Sequence, residues 1–199
     1  VLSNNKLVPI LKLINHAFPK LTRISSYANA HNITSRSKEE LDELYEHKLK
    51  LIYMGLESGS QKVLDLCKKR ATAKEMLLTI EKTKQAKIKS SIIVLLGLGG
   101  KEHSQEHVKE TISVLNKMQP EFLSFLTLMV VPNTELSQET LNGRFTELNA
   151  QEFLQETHDI LEGLDMEKTI FRCNHASNYF ALEGRLPQNK NDLLTQLGF

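Results

Sequence analysis

The stretch IYMGLESGSQKVL, residues 52–64, contains the transition that decides the fold. It overlaps an almost continuous apolar run, residues 49–56, which stops at a polar turn, residues 57–60, before apolar positions return at Val63. Apolar runs that do not alternate with polar residues are typical of strands buried on both faces, as in a parallel sheet. The stretch therefore predicts a strand, a turn and a helix, which is the repeating unit of a parallel α/β protein.

The same rhythm of strand and helix extends along the whole chain. Further strands are predicted at residues 22–27, 88–96, 122–131 and 169–173, and capping boxes start helices between them. The boxes are Ser37 with Glu40, Thr72 with Glu75, and Asn149 with Glu152. The spacing of roughly 30 to 40 residues predicts four or five parallel strands linked by helices. An open three-layer sheet and a barrel both satisfy this pattern.

Size and composition narrow the classes of protein. A chain of 199 residues with a formal net charge of +1 suits a single globular domain with no general attraction for nucleic acid or acidic membranes. No apolar run reaches the ~20 residues of a membrane span. Two cysteines, Cys67 and Cys173, are too few for a disulfide scaffold or a four-cysteine metal site. We interpret them as reduced thiols and predict a cytoplasmic protein.

Four predicted strand ends are rich in glycine or polar residues, at 25–29, 55–60, 97–100 and 130–134. Parallel α/β proteins build their sites at this carboxyl edge of the sheet. Glycines let backbone N–H groups approach a ligand closely, and Glu57 adds a carboxylate beside them. Since strand-to-helix turns need glycine in any case, each turn taken alone favours a structural role. Their combination in this order indicates a ligand site.

The chain resembles the radical S-adenosylmethionine enzymes in IYMGLESGSQKVL, in KKRAT (68–72), in IIVLLGLGGKE (92–102) and in LTLMVVPNTEL (126–136). Members of the family with similar stretches include oxygen-independent coproporphyrinogen oxidase and the methylthiotransferases. The resemblance covers nearly the whole chain, and GLESGS is its most specific part. It implies a partial (β/α) barrel with parallel strands, truncated at its amino terminus, that binds S-adenosylmethionine across the strand ends. A [4Fe–4S] cluster on three cysteines would split that cofactor to a carbon radical.

The resemblance also assigns cofactor-binding roles to particular positions. Ser25 corresponds to a polar residue on the family's third strand. Glu57 and Ser58 correspond to fourth-strand residues at the ribose or aminoacyl end of the cofactor, and Lys69 to the basic residue at the aminoacyl carboxylate. The positions beside the adenine correspond to Gly97, Gly99, Gly100 and Val131.

One departure from the family pattern concerns the metal cluster. The family's Cys-x3-Cys-x2-Cys motif is absent from these residues, as is the glycine-rich motif that meets the cofactor's amino group. Neither Cys67 nor Cys173 corresponds to a cluster ligand, and a cluster needs thiolates. Because Val1 is not methionine and precedes a turn, we interpret the chain as a fragment whose missing motifs would lie before it. We expect the fragment itself to be inactive, with no cofactor or metal bound.

Two other interpretations compete with an enzyme fragment. The first is a non-catalytic binding or scaffold domain that keeps the barrel without the chemistry. The second is a zinc peptidase, because His103, Glu106 and His107 match the pattern H-x-x-E-H. Ser104 resembles an N-cap that would leave His103 outside the helix, so a solvated helix start is favoured. The polar tail at 172–179 either faces a substrate or forms an ordinary loop.

The predicted organisation is the remaining part of the barrel at residues 1–135 with a helical extension at 136–199 packed on it. Without the first two strands of the barrel, the strand that carries Ser25 would form an exposed edge. Such an edge invites pairing with another chain, so we predict that self-association can occur there. The substrate is not readable, because one fold carries many reactions.

Overall fold

The computed structural model describes residues 2–198, so the predicted strand end at Val1 lies outside the described residues. Its strands are β1 (Ile24–Tyr27), β2 (Leu49–Glu57), β3 (Lys89–Leu96), β4 (Phe122–Thr127), β5 (Thr169–Cys173) and β6 (Leu182–Leu186). Its helices are α1 (Asn4–Ala17), α2 (Ala30–Thr34), α3 (Lys38–Glu46), α4 (Gln61–Leu66), α5 (Ala73–Gln85), α6 (Gly100–Met118), α7 (Glu135–Leu141), α8 (Ala150–Gly163) and α9 (Lys190–Gln196). None of the described helices is both long and apolar enough to cross a membrane.

All six strands form one sheet in the order β1-β2-β3-β4-β5-β6. The first five run parallel, and β6 lies antiparallel to β5. Parallel strands that are neighbours both in sequence and in space, with helices between them, confirm the predicted α/β class. The sheet is compatible with a partial barrel and is not closed, since β1 and β6 form its two edges.

The five parallel strands agree with the predicted number, and β6 adds an antiparallel strand that was not predicted. Its centre consists of Glu183, Gly184 and Arg185, and charged residues and glycine are depleted in strands. Pairing with β5 and the burial of Leu182 and Leu186 stabilise it instead. β5 and β6 join the same sheet as the other strands, so the sheet continues across the boundary predicted at residue 135.

One face of the sheet is covered by helices and forms the core. Ile52 and Met54 of β2 and Ile92 and Val94 of β3 lie on this face, and each is at most 1% exposed. They share one cluster with apolar residues of the helices, such as Leu44 of α3. Full burial of a side chain of this kind contributes about 1.5–3 kcal/mol, so this face supplies most of the drive to fold.

The opposite face, called the open face below, is only partly covered. It carries the strand residues that alternate with the core positions, and several are apolar yet partly exposed: Tyr53, Ile93, Leu95, Leu126 and Ile170. Leu51 and Ser91, nearer the amino-terminal ends of their strands, are buried. The expectation that both faces of the strands are buried is therefore correct for the helix side and wrong for most of the open face.

The β1 strand forms one edge of the sheet, where the sequence predicted an exposed strand. It pairs with β2 and has no second neighbour among the described residues. Ser25, Ser26 and Tyr27 are exposed, and the Tyr27 ring lies 5.4 Å from the Tyr53 ring, centroid to centroid. Self-association through this edge stays a prediction.

Two predicted boundaries are wrong. α6 begins at Gly100 with Gly99 as its N-cap, so Ser104 lies inside the helix and does not start it. β4 ends at Thr127 and not at residue 131, because the Thr127 N–H donates to the Oδ1 of Asn178, 2.8 Å away, in place of a strand backbone. At the end of β4 a tertiary contact thus overrides the local pattern.

Candidate functional site

The turn after β2 presents the carboxylate of Glu57 at the open face. The pairing of β2 with β3 is irregular between Gly55 and Glu57, and Glu57 has a φ of +63°. A β-bulge of this kind redirects side chains, and a left-handed conformation costs a non-glycine residue about 1–2 kcal/mol. A Cβ on Gly55 would lie 2.3 Å from the Glu57 Oε1, so the carboxylate occupies the space that Gly55 leaves free.

Lys69, just beyond α4, brings a cation to this carboxylate. Its Nζ lies 3.3 Å from the Glu57 Oε1, and the two side chains are 44% and 21% exposed. An ion pair this exposed contributes at most about 1 kcal/mol to stability. Glu57 and Lys69, which the resemblance assigned to the same end of the cofactor, are therefore adjacent and accessible to a ligand.

Gly59 allows the turn after β2 to pack directly on the backbone of α6. A Cβ at this position would lie 2.2 Å from the carbonyl oxygen of Glu110. The Gly59 N–H donates to the Oγ1 of Thr111 at 2.9 Å, and this hydrogen bond is buried. The glycine therefore serves the docking of the turn onto α6.

Ser58 faces the interior of the protein. Its side chain is fully buried, and its Oγ lies 2.8 Å from the Nδ1 of His107 while accepting the Ser60 N–H at 3.0 Å. The hydroxyl is thus engaged with α6, away from the Glu57 carboxylate. Its predicted contact with a cofactor stays a prediction.

The glycines of the turn after β3 are buried against α6, α8 and the chain near residue 145. Gly97 and Gly100 have φ values of +77° and +58°, which favour glycine. A Cβ would lie 2.4 Å from the Phe153 ring at Gly97, 2.8 Å from the carbonyl oxygen of His103 at Gly99, and 2.9 Å from the Phe145 ring at Gly100. Close packing explains why glycine stands at each of these positions.

Two of the predicted site residues lie on the rims of the open face. Ser25 is exposed on the edge strand β1. Val131 is 56% exposed and follows the end of β4. Both are accessible to a ligand, and neither is held against Glu57 by any contact within the described residues.

The polar tail anchors the end of β4. Asn178 uses its side-chain amide like a strand backbone, because its Oδ1 accepts the Thr127 N–H at 2.8 Å and its Nδ2 donates to the Phe125 carbonyl at 2.9 Å. The neighbouring Tyr179 lies with its ring 5.6 Å from the Phe153 ring, which also packs against Gly97. Asn178 therefore has a structural role, because it pairs with the backbone at the end of β4.

His107 and Glu156 are buried polar residues. The sequence pointed to His107 only as part of the H-x-x-E-H pattern, and it did not point to Glu156. Both side chains are at most 2% exposed, and the His107 Nε2 lies 3.7 Å from the Glu156 Oε1. Burial lowers the pKa of His107 to about 4 and raises the pKa of Glu156 to about 7. Burial disfavours the charged form of either group, so His107 is neutral at pH 7 and Glu156 ionises only near that pH.

The burial of these two residues could have been predicted from helical spacing. His107 shares the buried stripe of α6 with Thr111, Val114 and Met118, and Glu156 lies within the stripe of α8 that contains Phe153. The interpretation of the segment 103–107 as a solvated helix start is wrong for His107, because this side chain is fully buried.

The H-x-x-E-H pattern does not assemble a metal site. The His107 Nδ1 faces Ser58, and Glu106 accepts the Ser60 hydroxyl at 2.8 Å. Among the described residues, the potential metal ligands that lie close enough together to hold an ion are instead His158, Asp159 and Glu162 of α8. The side chains of His103, Glu106 and His107 thus do not converge on one point.

The family model of the radical SAM superfamily matches residues 3–115, more than half of the chain. The chain belongs to the radical SAM superfamily. The matched range includes β1 to β3, the Glu57–Lys69 pair and the glycines after β3. An uncharacterised protein of Methanocaldococcus jannaschii is 28% identical over 141 residues, which cover 69% of this chain and 43% of that protein.

Solved structures of radical SAM proteins share the fold. The archaeal Elp3 of Methanocaldococcus infernus, lacking residues 1–46, has a TM-score of 0.64 over 88% of this chain at 16% identity. Coproporphyrinogen III oxidase (HemN) of Escherichia coli, a radical SAM enzyme, has a TM-score of 0.61 over 81% of this chain, also at 16% identity. The alignments cover 41% and 36% of those two chains, so this chain spans less than half of each relative.

The residues present fit one of the two groups that radical SAM enzymes use. The amino-acid end of S-adenosylmethionine is a zwitterion, and Glu57 and Lys69 offer it an anion and a cation. A [4Fe–4S] cluster needs cysteine thiolates. Burial raises the pKa of Cys173 to about 12 and also raises the pKa of Cys67, which disfavours the thiolate at both. The two thiols do not fit a cluster.

Proposed function

We propose that this chain forms part of the S-adenosylmethionine site of an enzyme that cleaves this cofactor reductively to a 5′-deoxyadenosyl radical. The observation that supports this function is the Glu57–Lys69 pair on the open face, next to glycine-lined strand ends. Members of the superfamily to which the chain belongs carry the cofactor across such strand ends. Ligands of the iron–sulfur cluster would come from polypeptide outside these 199 residues.

The binding roles follow from the chemistry of each group. Lys69 would pair with the carboxylate of the cofactor, and Glu57 would accept hydrogen bonds from its ribose or ammonium group. The turn at 97–100 and Val131 would border the adenine, with partly exposed apolar side chains of the open face beneath it. Ser25 would contribute a hydroxyl from β1.

The chain's own contribution is binding and orientation. The backbone of Glu57 is fixed by the bulge in β2 and by the docking of Gly59 on α6, so its carboxylate is positioned before a ligand arrives. Preorganised groups avoid an entropic cost on binding. Apolar side chains of the open face would exclude water from the radical. The reductive step itself depends on the cluster, and the 199 residues alone are expected to be inactive.

The test is to produce the protein of the complete reading frame, reconstitute it anaerobically with iron and sulfide, and assay for 5′-deoxyadenosine. We expect iron–sulfur absorbance and cofactor cleavage in that protein. Neither is expected for the 199 residues alone. A reading frame without the Cys-x3-Cys-x2-Cys motif, or a reconstituted protein that forms no 5′-deoxyadenosine, would favour the binding or scaffold domain instead.

Calorimetry with S-adenosylmethionine tests the residue assignments in the same protein. Glu57→Ala should weaken binding by about tenfold or more, since one hydrogen bond to a charged group contributes ~1.5–3 kcal/mol. Glu46→Ala removes an exposed carboxylate at the end of α3 and is the matched control, with unchanged affinity expected. Cys67→Ala should keep the full iron content. Normal affinity in Glu57→Ala would overturn the role of this carboxylate.

A further inference from the structure

We propose that Glu156 of α8 is a positioning residue for the cofactor site, and that it acts with His107 to tie the turn after β2 to the turn after β3. Glu156 lies outside the range 3–115 that matches the family model. Its side chain nevertheless enters the centre of the fold, where it is 2% exposed. The premise is the proposed function, in which both turns hold the cofactor.

Glu156 holds the turn after β3 through two hydrogen bonds. Its Oε1 accepts the Gly97 N–H at 2.6 Å, and its Oε2 accepts the hydroxyl proton of Ser104. Gly97 is the first residue after β3, and its φ of +77° is a backbone conformation that favours glycine. In this conformation its N–H points to the Glu156 carboxyl group. One carboxyl group therefore connects the end of β3 to the first turns of α6.

His107 continues this connection to the turn after β2. The Ser58 Oγ accepts the Ser60 N–H, which leaves the Ser58 hydroxyl proton to donate to the His107 Nδ1 at 2.8 Å. A neutral imidazole then carries its proton on Nε2. This Nε2 has no hydrogen-bond partner among the described residues and faces the Glu156 Oε1 at 3.7 Å.

The result is a row of buried polar groups, Ser60, Ser58, His107, Glu156 and Gly97, in which the His107 and Glu156 side chains face each other across 3.7 Å without a hydrogen bond. Both turns are nevertheless joined to α6 by hydrogen bonds, one through His107 and the other through Glu156 and Ser104. Buried polar groups are stabilised by their partners, so moving either turn leaves His107 of α6 or Glu156 of α8 without its partner. The two turns therefore hold a fixed relative position. One of them carries the Glu57 carboxylate, and the other carries the glycines assigned to the adenine.

A stability role alone would be met as well by an apolar side chain, because burying a carboxyl group opposes folding. Burial raises the pKa of Glu156, Asp159 on the same helix raises it further, and the hydrogen bonds from Ser104 and Gly97 lower it. Burial of this carboxyl group therefore costs stability. Its hydrogen bonds to Gly97 and Ser104 indicate that it fixes the position of the turn after β3.

Two variants separate positioning from packing. Glu156→Gln keeps an oxygen for the Gly97 N–H, whereas Glu156→Leu fills the space without an acceptor. Glu162→Gln, near the end of α8, is the control, because it removes the charge of an exposed carboxylate on the same helix. In the 199-residue protein, Glu156→Leu should shift the amide NMR resonances of both turns, 57–60 and 97–100. Glu156→Gln should shift them much less, and Glu162→Gln should leave them in place.

Affinity for S-adenosylmethionine is the second measurement, made by calorimetry on the protein of the complete reading frame. We expect about tenfold weaker binding in Glu156→Leu and recovery in Glu156→Gln. If the unaltered protein does not bind the cofactor, the proposed function fails while the NMR comparison still tests the link. Two results would contradict the positioning role. One is that Glu156→Leu shifts only the resonances of the turn after β3 and none of the turn after β2. The other is that Glu156→Gln weakens binding as much as Glu156→Leu does.

Discussion

Replacing Gly59 with alanine forces the turn after β2 away from α6. The new Cβ would lie 2.2 Å from the Glu110 carbonyl oxygen and 2.5 Å from the Thr111 Cα. Both are backbone atoms, so no side-chain rotation relieves the clash. Ordinary contact requires a separation of roughly 3.5–4 Å, and the turn must therefore move by about 1 Å or more.

This movement has two energetic consequences. Overpacking of a well-packed region costs about 1–3 kcal/mol. The buried hydrogen bond from the Gly59 N–H to the Thr111 Oγ1, 2.9 Å long, is lost, and an unsatisfied buried group costs about 1–3 kcal/mol more. We therefore expect Gly59→Ala to lower the free energy of unfolding by roughly 2–6 kcal/mol.

Urea denaturation of the 199-residue protein measures this loss, and Gly55→Ala is the matched control. A Cβ at Gly55 meets the end of the Glu57 side chain at 2.3 Å, and this side chain can rotate away. Gly55→Ala should thus keep most of the stability while it displaces the carboxylate. An unfolding free energy for Gly59→Ala within about 0.5 kcal/mol of the unaltered protein would refute the reasoning, since that is the effect of an ordinary surface substitution.

Three further predictions concern the tail, the thiols and pH. Asn178→Ala should destabilise the protein by about 1–3 kcal/mol in urea denaturation, because the backbone of β4 loses its side-chain partner, and an unchanged midpoint would contradict this. A thiol reagent at about pH 8 should leave Cys173 unmodified in the folded protein and label it in urea, because burial raises its pKa to about 12; rapid labelling of the folded protein would disprove its burial. The pKa of Glu156 is raised to about 7, so its contribution to stability is complete below its unfolded pKa near 4.5 and is lost as the pH rises through 7. Glu156→Gln should therefore gain stability relative to the unaltered protein between pH 5 and 8, by up to ~3 kcal/mol, and parallel pH profiles of the two proteins would contradict this.

Much of the fold could be predicted from local patterns. The three capping boxes start α3, α5 and α8 as expected, and the long apolar runs form β2 and β3. These signals are local, because a cap or a strand-length apolar run is complete within a few residues. β6 and the short end of β4 were not predictable in this way. The polar sequence of β6 becomes a strand only by pairing with β5, and the end of β4 depends on Asn178, 51 residues away.

The candidate site was predictable in composition but not in its internal support. Glu57 and Lys69 lie together as the resemblance implies. Ser58 belongs to the same motif, yet its hydroxyl is buried against His107. The histidine was assigned to a solvated helix start because Ser104 resembles an N-cap. Its helical spacing from Thr111, Val114 and Met118 instead places it on the buried side of α6, where a polar side chain needs a polar partner.

The glycines at the strand ends differ in how strongly they indicate a ligand site. Gly59 and Gly97 are required by packing, because a Cβ at either would meet α6 or the Phe153 ring whether or not a ligand binds. A scaffold that had lost its reaction would need them as much as an enzyme does. Gly55 differs, since a Cβ there would meet only the carboxyl end of Glu57 among the closest atoms. The space at Gly55 serves the position of that carboxylate and no helix contact. This position, together with the left-handed backbone of Glu57, favours a retained ligand site over a bare scaffold.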